Sequence, residues 1–186
     1  MRTLLAAVLA AAAGAAAAQT MDAPMQPSEN RNFKSDWELR QEERDWRADK
    51  APLPPLPKAG DLVEVNLGSA TSFRFFVDAS SISVGRDGVV RYVFVARSPS
   101  GYDNVSFEGI RCRSENYRIF ALLDGKHWTP TNDDWKPTAE NGVRRWQGIL
   151  ERDYFCPRHM IIGSAEEGRD ALRRGGNPRA ELGATR

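Results

Sequence analysis

Between Asp61 and Gly125 the chain is a succession of short β-rich runs separated by turn signals, and this pattern most restricts the fold. "LVEVNL", "SFRFFVD" and "SISVG" are runs of this kind, and in the second Phe73, Phe75 and Val77 alternate with Arg74 and Asp78. "GRDG" at residues 85–88 is a turn signal, and "VVRYVFVAR" follows with apolar residues on both faces. That predicts a hairpin leading into a central strand. "SPSGYDN" turns the chain again into "VSFEGIRCRS", and "YRIFALL" supplies one more strand. About six strands in a row, joined by short turns, predict an antiparallel meander that needs a cover on one face.

Within "VSFEGIRCRS" the apolar positions change parity, from Val105 and Phe107 to Ile110 and Cys112. Gly109 stands at the change, so a β-bulge is expected there. Beyond it Ile110 and Cys112 should face the core, with Arg111 and Arg113 toward water. The cover is expected from Val143, Trp146, Leu150 and Tyr154, which recur at intervals of three and four. Arg144, Arg145, Gln147, Glu151 and Arg152 would take the opposite side of this helix of about 13 residues, ended by Pro157. A second helix starts at a capping box, Ser164 with Glu167, and stops at Gly175. The fold class is α+β, a single domain over residues 59–175, with 176–186 as a flexible tail.

Near its start the chain has one positive charge, Arg2, and then an apolar, small-residue stretch from Leu4 to Ala18. This has the form of a secretory signal peptide, cleaved near Ala18. About 15 residues, mostly alanine, fall short of the roughly 20 apolar residues of a membrane span. The expected location is the periplasm, with no membrane span after cleavage. The whole chain carries 26 basic and 25 acidic side chains, and losing Arg2 leaves these in balance. Such a balance supplies no field to gather nucleic acid, so nucleic acid is excluded as a partner at the level of net charge.

Residues 19–58 form a polar arm. Ser35 and Glu38 fit a capping box for a short helix, and Asp36 with Arg40 and Glu43 with Arg47 are opposite charges four apart. Leu39 and Trp46 share a face of that helix, while Trp37 falls on another. The arm is expected to dock on the surface, with Trp37 as the side chain a protein partner would meet. Prolines 52, 54, 55 and 57 make the following connector extended and stiff.

Chemistry-bearing residues are few. Cys112 and Cys156 are the two cysteines, and an even pair in an oxidising compartment is most simply a disulfide. The alternatives are a zinc site drawing on Cys112, Cys156, His127 and His159, or a reactive thiol. Asp133 and Asp134 stand in a turn-rich loop, flanked by Trp128 and Trp135. Solvated turn aspartates and core tryptophans are the plainer reading; a glycan groove walled by the two tryptophans is the sharper one. Arg111, Arg113 and Arg118 are expected as a basic stripe along the outer sheet face. No catalytic residue, resident metal or cofactor is assigned. A rival hydrolytic or metal-assisted site would draw on Asp133, Asp134, Cys156 and His159.

The segments "RFFVDASSISVGRDGVVRYVFVARSPSG", "NVSFEGIRC", "DYFCP" and "SAEEGRDALRRG" resemble the CNP-one-like family of bacterial envelope proteins, over about residues 62–175. The resemblance implies an exported domain and carries no activity or catalytic residue with it. The expected function is therefore a non-catalytic periplasmic binding or interaction module for an envelope protein or a glycan. The alternative is a hydrolytic or metal-assisted envelope enzyme.

Overall fold

A computed structural model describes residues 34–67, 71–138 and 145–181. The expected signal segment, Val143 and Arg144 of the expected helix, and residues 182–186 of the expected tail lie outside these. Two units divide between Glu43 and Arg44.

Helix α1 (Asp36–Asp45), whose first eight residues belong to the first unit, begins after Ser35. The Ser35 N–H donates to the Glu38 carboxylate at 2.7 Å and the Glu38 N–H donates to Ser35 Oγ at 3.3 Å. This is the reciprocal capping box that the spacing predicts. The bond from the Ser35 hydroxyl, with that from its backbone N–H, holds the Glu38 carboxyl below its ordinary range. Trp37 is 62% exposed.

The second unit is an antiparallel sheet with helices, of the α+β class expected. Strands β1 (Leu62–Val65), β2 (Arg74–Val84), β3 (Val89–Arg97), β4 (Asp103–Arg111), β5 (Asn116–Asp124) and β6 (His127–Pro130) pair in chain order, and β7 (Lys136–Pro137) adds to β5. Gly88, at a φ of +78°, makes the β2–β3 turn, a backbone conformation that glycine adopts without a Cβ clash.

One face of the sheet presents Phe75, Val77, Val90, Tyr92, Phe94, Ile110 and Tyr117 to a core completed by Leu150, Tyr154, Phe155 and Leu172. The covering segment is α2 (Arg145–Ile149), which passes directly into a π-helical turn (Leu150–Phe155). There the Cys156 N–H reaches the Glu151 carbonyl five residues back. Helix α3 (Ala165–Arg174) starts at Ser164, whose Oγ accepts from the Glu167 N–H, and ends at Gly175 in the left-handed region.

The wider π turn corrects the expected helix. Leu150 and Tyr154 point inward as the 3.6 period requires, but so do Gln147, Glu151 and Phe155, and Gln147 and Glu151 were expected on the polar side. A π turn brings residues about four to five apart onto one face, so neighbouring positions are drawn in together.

The expected bulge at Gly109 is also corrected. Strands β3 and β4 pair without a break from Val89↔Arg111 to Arg97↔Asp103. The extra residue is Phe120 on β5, because Phe107 pairs with Ala121 and Glu108 with Ile119. The parity of β4 changes because both faces of the strand are covered. Phe107 looks to the second face with Val93 and Ala121, where Ala51 and Trp128 pack. Gly109 serves close approach: a Cβ there would sit 2.6 Å from the Phe120 ring and 2.8 Å from Val89 Cγ1.

The second face is covered by residues 46–57. Trp46 donates its indole N–H to the Asp87 carbonyl at 2.8 Å, and Arg91 donates to the Asp49 carbonyl at 3.0 Å. Trp128 donates to the Pro54 carbonyl at 2.8 Å. The stiff connector is thus laid across the sheet. Beyond α3, the segment expected to be loose instead turns back through α4 (Pro178–Glu181), with Asn177 buried and its N–H bonded to the Asp153 carbonyl.

Candidate functional site

The residues singled out in the sequence fall into separate places. Cys112, just after β4, and Cys156, just after the π turn, lie at disulfide distance, with Cα atoms 5.4 Å apart. Arg111, expected to face water, is buried, with its guanidinium 3.8 Å from the Trp46 ring centre. Trp46 meets Trp135 edge-on at 5.4 Å, Trp135 meets Phe120 at 6.0 Å, and Arg118 stacks on Phe120 at 5.5 Å. Arg111, Arg118, Trp128 and Trp135 therefore share the arm-covered face, while Arg113 is exposed. His127 is exposed on β6. Asp133 pairs with Lys136 at 3.1 Å, and Asp134 is exposed.

His159 joins a different group from the one expected. Its Nδ1 lies 2.9 Å from Glu115 Oε1, and with Glu151 the three side chains place one ligand atom each within 4.8 Å of one another. Thr138 Oγ1 is within hydrogen-bond reach of both the Glu115 carbonyl and the Glu151 carboxylate. Burial pushes the Glu151 carboxyl up, the Thr138 bond opposes this, and the Glu115 charge adds to the rise. Glu115, Arg158 and His159 have φ of 51°, 58° and 62°, and all line one cavity of about 390 Å³ beside Cys156. Two carboxylates and an imidazole are donors suited to zinc. Sequence spacing did not show this group because Glu115, Thr138, Glu151 and His159 come from four segments, and Glu151 turns inward only through the π turn.

The larger cavity, about 680 Å³, is a groove on the helix-covered face. Phe94, Ala96, Ile119, Leu122, Tyr117 and Trp146 give it apolar and aromatic walls, and Asn104, Ser106, Glu108, Asp124 and Gln147 give it polar points. Leu56 and Pro57 of the connector flank it. Regular pairing of β3 with β4 sets Tyr92 opposite Glu108 and Phe94 opposite Ser106, so these side chains share the face.

At the floor, Glu108 is almost completely buried. It accepts from Ser106 Oγ at 2.6 Å, from the Tyr92 hydroxyl at 3.1 Å and from Gln147 Nε2 at 3.4 Å. Burial raises the Glu108 carboxyl above its ordinary range, and the three hydrogen bonds offset only part of that rise. Burial and the neighbouring Glu108 charge push the Tyr92 phenol well up. The other end of the Gln147 amide, Oε1, is buried with no hydrogen-bond partner. Among the described lining residues there is no lysine, arginine or histidine. A cavity of this size with aromatic walls and a few convergent polar groups has the form of a small-molecule site.

The sequence profile of the CNP1-like family matches residues 41–173. The chain belongs to the CNP1-like family. That match takes in the whole sheet, α2 with its π turn, α3 but for its last residue, and the residues 46–57 that cover the second face. A curated relative, cryptic neisserial protein 1 of Neisseria gonorrhoeae, is 32% identical over 113 aligned residues, covering 50% of this chain and 55% of the relative. The chain thus spans about half the length of that relative. No solved structure matches.

Proposed function

We propose that this CNP1-like protein is an exported, non-catalytic binding module of the cell envelope, made with a signal peptide over residues 1–18, and that its ligand occupies the groove above Glu108. The observation that carries this reading is the buried, unpartnered Gln147 Oε1 at the floor of an aromatic-walled groove of about 680 Å³. A buried polar atom without a partner costs about 1–3 kcal/mol, and a ligand supplying the missing hydrogen bond recovers it. Trp37, exposed on α1, is the contact offered to an envelope protein. A disulfide between Cys112 and Cys156 suits an oxidising compartment.

The test is a fragment screen read by methyl NMR. Fragments that shift the Ile119 and Leu122 methyls, and that lose the effect in Leu122→Trp, support the groove as the binding site. A library that leaves those methyls unmoved overturns it.

A second reading, a metal-assisted envelope enzyme, is favoured by the convergence of Glu115, Glu151 and His159. Calorimetry with zinc decides it: stoichiometric binding that is lost in His159→Ala supports a metal centre, and no binding removes that reading.

A further inference from the structure

The groove's lining carries neutral polar groups, Tyr102, Asn104, Ser106 and Gln147, but its charged side chains, Asp103, Glu108 and Asp124, are all acidic. Its floor offers the Glu108 carboxyl and the unpartnered carbonyl oxygen of Gln147, both acceptors, within a wall that holds no cationic side chain among its described residues. Asp124 stands exposed at the mouth. Asp103, also at the mouth, is already neutralised by Arg97, whose Nε lies 2.6 Å from it. An anionic ligand would meet carboxylates and no donor cation there, and a purely apolar ligand would leave Gln147 Oε1 unsatisfied. Phe94, Tyr117 and Trp146 give the groove an aromatic wall for an apolar chain, with Phe75 stacked on both Phe94 and Trp146.

We propose that the groove binds an organic ammonium compound, its cationic head between Gln147 Oε1 and the Glu108 carboxyl and its apolar body among Phe94, Tyr117 and Trp146. This rests on the groove being the ligand site. Burial raises the Glu108 carboxyl and an ammonium beside it would oppose that rise, so hexylammonium should bind more weakly as pH falls through the range in which Glu108 titrates. Tyr92, Ser106 and Gln147 face Glu108 directly. Tyr92 is a phenol pushed well up by burial and by the Glu108 charge, so it stays protonated in the neutral range.

The experiment is isothermal titration of the whole chain with hexylammonium, hexan-1-ol and hexanoate, alongside NMR of the Ile119 and Leu122 methyls. Hexylammonium should bind about ten-fold or more tighter than either of the others, since a hydrogen bond to a charged group is worth about 1.5–3 kcal/mol. Gln147→Leu should erase most of that advantage. Asp124→Asn, an exposed change that leaves the core intact, should weaken hexylammonium by about two-fold and leave hexan-1-ol unchanged. Equal affinity for hexan-1-ol, or a preference for hexanoate, with shifts confined to the groove methyls, overturns the ammonium assignment and keeps the groove as a site. No binding by any of the three and unmoved methyls overturns this assignment, and the fragment screen then decides separately whether the groove binds at all. Hexylammonium binding with the groove methyls unmoved places the cation elsewhere and also overturns it.

Discussion

The guanidinium of Arg111 lies 3.8 Å from the centre of the Trp46 ring, so the last residue of β4 is held to the segment that covers the second face. Trp46 is fixed from two further sides, by the Asp87 carbonyl and by the edge of Trp135. A desolvated cation–π contact is worth about 2 kcal/mol and an aromatic pair about 1 kcal/mol. Trp46→Ala should therefore lower stability by about 2–3 kcal/mol and expose the connector at residues 47–57. Limited proteolysis followed by mass spectrometry checks this: faster cleavage within the connector is expected while the sheet stays intact.

Asp87 is the anionic partner of a buried arginine. Both side chains of the Arg91–Asp87 pair are 3% exposed, and Asp87 also accepts from the Asp49 N–H at 2.8 Å. Burial pushes the Asp87 carboxyl up, but Arg91 and the backbone N–H bonds outweigh it and hold the group below its ordinary range. Asp87→Ala strands the guanidinium, and a stranded buried charge costs about 3–5 kcal/mol. Chemical denaturation should show a loss of that size, with Asp87→Asn losing less.

These two carboxyls give opposite pH dependence. Glu108 has a raised carboxyl, so the folded state holds its proton longer than the unfolded chain does. Its contribution is fully present below the unfolded value near 4.5 and is lost as pH rises through the folded value. Asp87, with a lowered carboxyl, contributes above about 3.8 and loses that contribution as pH falls through its folded value. Unfolding free energies measured from pH 3 to pH 8 should show Glu108→Gln removing a decline that begins above about 4.5. The acid limb should persist in Glu108→Gln and weaken in Asp87→Asn.

A bond between Cys112 and Cys156 closes a separation of 44 residues and ties β4 to the π turn. In the chain-entropy treatment such a loop contributes about 4 kcal/mol. The exported protein, denatured without reductant, should show no free thiol, and reduction should lower its midpoint by a corresponding amount. The double change of both cysteines to serine should match the reduced protein. N-terminal sequencing of the same sample should begin at Gln19.

Local patterning carried the sheet. The turn signals at 85–88 and 98–104 and the two capping boxes are short-range features and appear where the residues put them, but "SFRFFVD" and "SISVG" join into the one strand β2, and β6 and β7 carry no run of their own. The nearness of Cys112 and Cys156, at disulfide distance, was also legible, because a chain with two cysteines offers one intramolecular choice. The family was legible from the sequence through distinctive segments spread along the chain.

What the residues could not express locally was which faces of the sheet are covered. Val105 and Phe107 on one side of β4 and Ile110 on the other resemble a slipped strand until the arm is seen on the second face, and Arg111 resembles a solvated residue until Trp46 lies over it. Glu108 and Gln147 are ordinary polar letters 39 positions apart; cross-strand register and the approach of α2 bring them to 3.4 Å. Glu151 is turned inward by a π turn whose extra residue per turn leaves no periodic trace in so short a segment. Strand identity, caps and turns were set by the sequence through near-neighbour sterics and hydrogen bonding. The groove, the buried carboxyl and the Glu115–Glu151–His159 group were decided by long-range packing, which determines the environment of a polar side chain without altering its identity.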